Sequence, residues 1–194
     1  MYRFLEIPSV YNLSQSIFIF FYGKALDRVR AVIRENCFGR VLELGCGTGK
    51  FADLLGNLYC GVDISYEYLK NISGERGRFI CSDAARLPFA DGLFDSIYCH
   101  GMFHHIAVNH SKGVLAEARR VCRPDGRIVI SDQYYPESRF DGPGFLVNKL
   151  DRGSHVRTLK AFKKELENQL RIVEIVPIQG SYPFNLKVIV LDLK

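Results

Sequence analysis

Apolar residues along this chain fall into short continuous runs and into stretches spaced three or four apart, and the two kinds alternate. Val41 to Leu44 is a run of the sort buried on both faces of a parallel sheet. Further strands are read at Cys60 to Asp63, Arg78 to Cys81, Ser96 to Cys99 and Arg127 to Ser131. Between them Leu26, Val29 and Ile33 keep helical spacing, as do Leu115, Ala118, Val121 and Cys122 ahead of an Arg123-Pro124-Asp125-Gly126 turn. A helix should also follow residue 49, over Lys50 to Leu58, and Leu159, Phe162, Leu166 and Leu170 mark another. Strands alternating with helices predict an α/β fold with a doubly wound, mostly parallel sheet and helices on both faces. The chain closes on two consecutive strands, Arg171 to Val176 and Leu186 to Leu193, so the last should insert antiparallel as a hairpin. The longest irregular connection, residues 133–157, holds Tyr134, Tyr135, Phe140, Phe145 and Leu146 among prolines and glycines. A connection of that length in a compact domain is usually functional or disordered, and its aromatics argue against disorder.

The first strand ends in Gly45, Gly47 and Gly49, separated by Cys46 and Thr48. Glycines at alternate positions let a turn bend tightly and bring backbone N–H groups against a ligand, with the next helix N-terminus aimed at the same place. The dinucleotide fingerprint G-x-G-x-x-G puts its third glycine one residue later, and the Gly-Lys-Ser/Thr ending of a phosphate loop is absent. Glu43 stands two residues before the first glycine, where it would repel a pyrophosphate but suit a ligand bearing ammonium and sulfonium charges. Asp63 ends the second strand eighteen residues after Gly45, at a place suited to a ribose diol. Ser82-Asp83-Ala84 ends the third strand and His100 the fourth, so successive strands deliver polar residues to one sheet edge.

These motifs resemble the class I S-adenosylmethionine-dependent methyltransferases, and most of all the small single-domain branch that includes ubiquinone and menaquinone biosynthesis enzymes. The matching stretches are Val-Leu-Glu-Leu-Gly-Cys-Gly-Thr-Gly (41–49), Gly-Val-Asp-Ile-Ser (61–65) and Ser-Asp-Ala-Ala-Arg-Leu-Pro-Phe (82–89). Phe-Asp-Ser-Ile-Tyr-Cys-His (94–100), Phe-His-His-Ile (103–106) and Arg-Pro-Asp-Gly-Arg-Ile-Val-Ile (123–130) follow in the same order. The resemblance covers roughly residues 38 to 132 and weakens on both flanks. It implies a Rossmann-like seven-stranded sheet, S-adenosylmethionine as methyl donor and S-adenosylhomocysteine as product. It implies cofactor contacts from Glu43, Gly45, Cys46 and Gly47 around the methionine moiety, with His100 closing that side. Asp63 and Ile64 would meet the ribose, and Asp83 and Ala84 the adenine. An N-terminal helix folds over the cofactor in similar enzymes, which makes Tyr11 and Gln15 candidates from above. The family covers its acceptor pocket with the region corresponding to residues 133–157, so that stretch is the expected lid.

Methyl transfer from a sulfonium needs alignment and exclusion of water more than protein chemistry. Where an acceptor loses a proton, histidine is the usual base near neutral pH. His104 and His105 follow the fourth strand and His155 lies near the end of the expected lid, so these three are the candidates. At the family's Phe-His-His-Ile position, His105 could instead serve as scaffold.

The acceptor is narrowed by elimination. Cys99-His100-Gly101-Met102-Phe103 carries neither the Asn/Asp-Pro-Pro-Tyr/Phe pattern of amino-methylating DNA enzymes nor a Pro-Cys nucleophile. The acidic loop of protein-arginine enzymes is also missing. Twenty-six basic against 21 acidic residues give a net charge of only +5, spread along the chain, which predicts no nucleic-acid partner. A small-molecule acceptor remains. Six scattered cysteines without a C-x-x-C pair read as reduced thiols in a cytoplasmic protein, with no metal site. Residues 17–22, Ile-Phe-Ile-Phe-Phe-Tyr, are too short to span a bilayer, so no stable membrane insertion is expected. The 194 residues fit one domain, with an N-terminal helical cap over 1–36. Oligomeric state is left open. The rival of a different class is a non-catalytic module that holds S-adenosylmethionine, or a methyltransferase subunit that depends on a partner.

Overall fold

The computed structural model describes residues 23–56, 58–72, 77–138, 140–150 and 155–194. Tyr11, Gln15 and the apolar run at 17–22 lie outside the described residues, and the cap is described only from residue 23. There, helix α1 (23–36) buries Leu26, Val29 and Ile33, the three residues whose spacing marks it.

Strand β1 (Val41–Leu44) is central: it pairs in parallel with β2 (Tyr59–Asp63) on one side and β4 (Phe94–His100) on the other. Being central and covered on both faces, it buries all four residues, which explains its continuous apolar run. The alternation within the sheet then divides the core in two. Leu42, Leu44, Ile97 and Ile128 face helix α4 (Val108–Val121) and helix α6 (Leu159–Leu166). Val41, Tyr98 and Val129 point the other way, onto α1 and Phe51. Side chains in a strand alternate faces, so one register serves both layers.

The sheet has eight strands in the order β3-β2-β1-β4-β5-β8-β7, with a two-residue strand β6 (Arg157–Thr158) paired to β5 off that path. Here β3 is Arg78–Cys81, β5 Cys122–Tyr135, β7 Leu170–Pro177 and β8 Leu186–Leu193. The seven strands of the main path meet the Rossmann-like expectation, and β8 is antiparallel to both of its neighbours, β5 and β7, as the closing hairpin requires. Strand order reverses between β1 and β4, and such a reversal opens a crevice at the strands' carboxyl ends.

Three expectations change in extent. The helix read over Lys50 to Leu58 shrinks to α2 (Ala52–Leu55), because Gly56 leaves helical geometry at φ 82°. A four-residue helix has little dipole, so charge from it contributes less at the turn than the sequence suggested. Strand β5 runs far beyond 127–131, absorbing the Arg123–Gly126 turn as an irregularity between the Phe94↔Cys122 and Ser96↔Arg127 pairs. The stretch 133–157 is more regular than its glycines and prolines suggested: β5 continues to Tyr135, and helix α5 (Gly142–Leu150) follows. Its aromatics divide, Tyr134 being buried in the core and Phe140 98% exposed.

Candidate active site

All three glycines of the turn after β1 sit in the left-handed region, at φ 68°, 54° and 71° for Gly45, Gly47 and Gly49. A side chain would be strained at each. It would also collide: a Cβ on Gly45 would lie 2.9 Å from Met102 Sδ. The Gly45 and Cys46 N–H groups both donate to Val62 O, at 2.8 and 3.0 Å, which fastens the turn to β2. Cys46 is buried, with its Sγ against Gly61, where a Cβ would approach it to 2.8 Å.

Asp63 holds the turn from the next strand. Its Oδ2 accepts the Gly47 N–H at 2.8 Å and its Oδ1 the Ser65 N–H at 2.8 Å. Glu43 lies beneath the turn, 1% exposed, and its Oε2 accepts the Tyr59 hydroxyl at 2.5 Å. Burial pushes its pKa up to about 8, with repulsion from Asp63 adding and the Tyr59 bond opposing. Glu43 thus meets the turn from below, through Tyr59 and the β1–β2 pairing, and not at its open face.

That open face is a cavity of about 580 Å³ at the carboxyl ends of β1, β2 and β4. Gly45, Gly47, Asp63 and Ile64 form one wall, Asp83 and Ala84 another, and His100 with His105 close it. Among the described residues Glu43, Cys46, His104 and His155 are not part of the lining. Sequence reasoning missed Met102, Ile106, His110 and Val114, which do line it. His110 and Val114 are four apart on α4, so helical phase alone puts them on one face; what the sequence lacks is the direction of that face. Asp83 Oδ1 accepts the Ala85 N–H at 2.8 Å and sits 3.0 Å from His110 Nε2.

His100 packs its ring 4.9 Å from Phe51 and places Nδ1 3.2 Å from Ser131 Oγ. Burial, aided by the Lys50 ammonium, pushes its pKa down to about 3. The ring is therefore neutral near pH 7 and offers no like charge to a cationic ligand.

Beside the cavity, the short 3-10 turn Phe103–His105 carries the histidine pair. His104 Nδ1 is 2.5 Å from Asp132 Oδ1, and the His104 N–H reaches Asp132 Oδ2 at 3.3 Å. Asp132, 2% exposed, also accepts the Gln133 N–H at 2.8 Å. Burial alone would raise its carboxyl, but the charge and hydrogen bond of His104 hold it below the usual range. The His104 and His105 rings are 3.9 Å apart. His155 is exposed, and its backbone N–H donates to His104 O at 3.0 Å. Arg157 donates to Phe103 O at 2.9 Å and Ile106 O at 2.8 Å, fixing the turn from below.

The donor set suits S-adenosylmethionine. The bare Cα atoms of Gly45 and Gly47 line the cavity, a carboxylate lies at the second strand's end, and a neutral ring closes the site. Among the described residues no cluster of His, Cys, Asp and Glu could hold a metal ion.

A family described as "Methyltransferase domain" matches residues 42–130. The mouse protein named probable tRNA methyltransferase 9B is 32% identical over 134 residues, covering 64% of this chain and 29% of its own length. A demethylmenaquinone methyltransferase of Beutenbergia cavernae is 40% identical over 101 residues, covering 48% of this chain and 40% of its own. The chain thus spans less than half the length of these curated relatives. A Thermotoga maritima structure, described as a SAM-dependent methyltransferase and possible histamine N-methyltransferase, superposes over 100% of both chains. Its TM-score is 0.76 at 19% identity, which speaks for the fold. The motifs thus fall in order within the stretch that matches a methyltransferase domain, and the fold gathers its glycine turn, Asp63 and Asp83 at one crevice.

Proposed function

We propose that this protein transfers a methyl group in line from S-adenosylmethionine to a small-molecule acceptor. The observation that carries the reading is the cavity itself: Asp63 locks the glycine turn open at the strand-order reversal. Gly45 and Gly47 would hold the methionine moiety, Asp63 and Ile64 the ribose, and Asp83 and Ala84 the adenine, with His100 closing the methionine side. Cys46 and Glu43 would act from below, by packing and through Tyr59. When bound, the donor supplies an electrophilic methyl group on a sulfonium. The chain's own part is to orient the partners and keep water out. A small acceptor is favoured because the charge of +5 is diffuse and gives no nucleic-acid footprint.

The test has two arms. Calorimetry with S-adenosylhomocysteine and with NAD should show binding of the first alone, and NAD binding in its place would overturn the assignment. A labelled-methyl transfer screen against cell extract should then place label in the low-molecular-weight fraction. Binding without transfer would favour the non-catalytic or partner-dependent module. A second reading, an RNA acceptor, is favoured by one observation, the name of the mouse relative. Label recovered in the tRNA fraction would establish it.

A further inference from the structure

Helix α4 lies along the loop that follows β3, residues 82–89, and meets it through one face. We propose that His110 on this helix holds one oxygen of Asp83, leaving the other to accept from the exocyclic amino group of an adenine. His110 is then the positioning residue for base selectivity. The inference deepens the reading above, in which Asp83 and Ala84 meet the adenine, and rests on it.

Four contacts between helix and loop carry it. His110 Nε2 is 3.0 Å from Asp83 Oδ1. At Gly113 a Cβ would lie 3.3 Å from the Ala85 Cβ, so the missing side chain lets the helix pass close to the loop. Glu117 Oε2 accepts the Leu87 N–H at 2.7 Å. Arg120 donates to Phe89 O at 2.7 Å and to Leu87 O at 3.1 Å. Positions 110, 113, 117 and 120 are three or four apart, so helical phase places them on one side. The helix is itself anchored next to His110: Ser111 is buried, and its hydroxyl donates to Glu165 Oε1 on α6. His110 thus reaches Asp83 from a fixed element, against a loop pinned at its far end.

This divides the carboxylate. Oδ1 accepts both the Ala85 N–H, at 2.8 Å, and His110 Nε2. Among the described residues Oδ2 takes no hydrogen bond, while Asp83 and His110 both line the cavity. A carboxylate only accepts, so Nε2 carries the ring proton. The terminal torsion of an aspartate is soft, and two donors on one oxygen hold it in place. The 6-amino group of adenine is a donor and suits the oxygen that remains. A 6-oxo group in its place is an acceptor and would set two acceptors against each other. His110 acts through Asp83, and the selectivity is read at the carboxylate.

Calorimetry of the full chain with S-adenosylhomocysteine and with S-inosylhomocysteine, its 6-oxo counterpart, measures that selectivity. The wild type should bind the amino compound about tenfold or more tightly. His110→Phe keeps a ring without the donor and should cut the ratio by about threefold or more. His110→Gln places an amide N–H where Nε2 stands and should keep the ratio, which a purely packing role would not allow. Nitrogen–proton NMR, with histidine labelled and His110 assigned through His110→Gln, should show Nε2–H before and after S-adenosylhomocysteine is added. An unchanged ratio in His110→Phe overturns the proposal, and so does a loss in His110→Gln as large as that in His110→Phe. A proton that moves to Nδ1 on adding the ligand overturns it without any variant. A wild type that binds both compounds equally overturns the proposal and leaves the cofactor reading standing. A wild type that binds neither refutes the cofactor reading, and the proposal with it.

Discussion

Asp63 has two duties at one carboxylate: it holds the Gly47 and Ser65 N–H groups, and it faces the cavity where the ribose would lie. Asp63→Ala removes charge-assisted bonds and should cost roughly 1.5–3 kcal/mol of S-adenosylhomocysteine affinity by calorimetry. Unchanged affinity would remove Asp63 from the site. Glu43 gives a pH signature of its own. The unfolded chain releases this proton near 4.5, whereas the folded one holds it to about 8. Between those values the folded state binds more protons, so stability is full below about 4.5 and falls as pH rises toward 8, by a few kcal/mol in all. His100 has the opposite sign, its pKa falling from 6.5 to about 3, and its contribution is complete above 6.5. The window from 6.5 to 8 therefore separates the two, and Lys50, lowered to about 8, enters only above it. Urea melts across that window should show the wild type losing stability, with a flatter slope in Glu43→Gln. Parallel slopes would mean that Glu43 is already ionised in the fold.

The turn after β1 is built as a unit: left-handed glycines, two N–H bonds to Val62 O, and Asp63 as clasp. Gly47→Val puts a β-branched residue at φ 54°, where strain is on the order of 1–3 kcal/mol. A domain with a full core can absorb that, so thermal melting should stay cooperative while S-adenosylhomocysteine binding is abolished. Retained binding would mean that the turn does not touch the ligand. Elements also show where pattern reading reached its limit. Leu170 keeps helical phase with Leu166 yet begins β7, because a buried leucine serves a strand as well as a helix. Gly142 and Gly144 looked like loop residues but open α5, where Gly144 N bonds to Asp141 Oδ1 at 2.9 Å.

For the molecule as a whole, the proposed small-molecule acceptor rests on a formal net charge of only +5, which supplies few phosphate contacts. A shift assay at about 150 mM salt should therefore show no tight complex with DNA or RNA, and binding that persists at that salt would favour the RNA acceptor. No helix among the described residues is long and apolar enough to cross a membrane.

The sequence by itself determined the alternation of strands and helices, the antiparallel last strand and the strand-end positions of Gly45, Gly47, Asp63 and Asp83. Those features are local: periodicity sets the element, and glycine and aspartate mark the turns. Tertiary structure decided which of the neighbouring side chains share a space. It put His105 in the cavity wall and turned His104 beside it onto Asp132, 28 residues away along the chain. It brought His110 across to Asp83 and sank Glu43 beneath the turn onto Tyr59. Each of those contacts joins residues from different elements, and their distance depends on how the strands stack in the sheet, which no local spacing records.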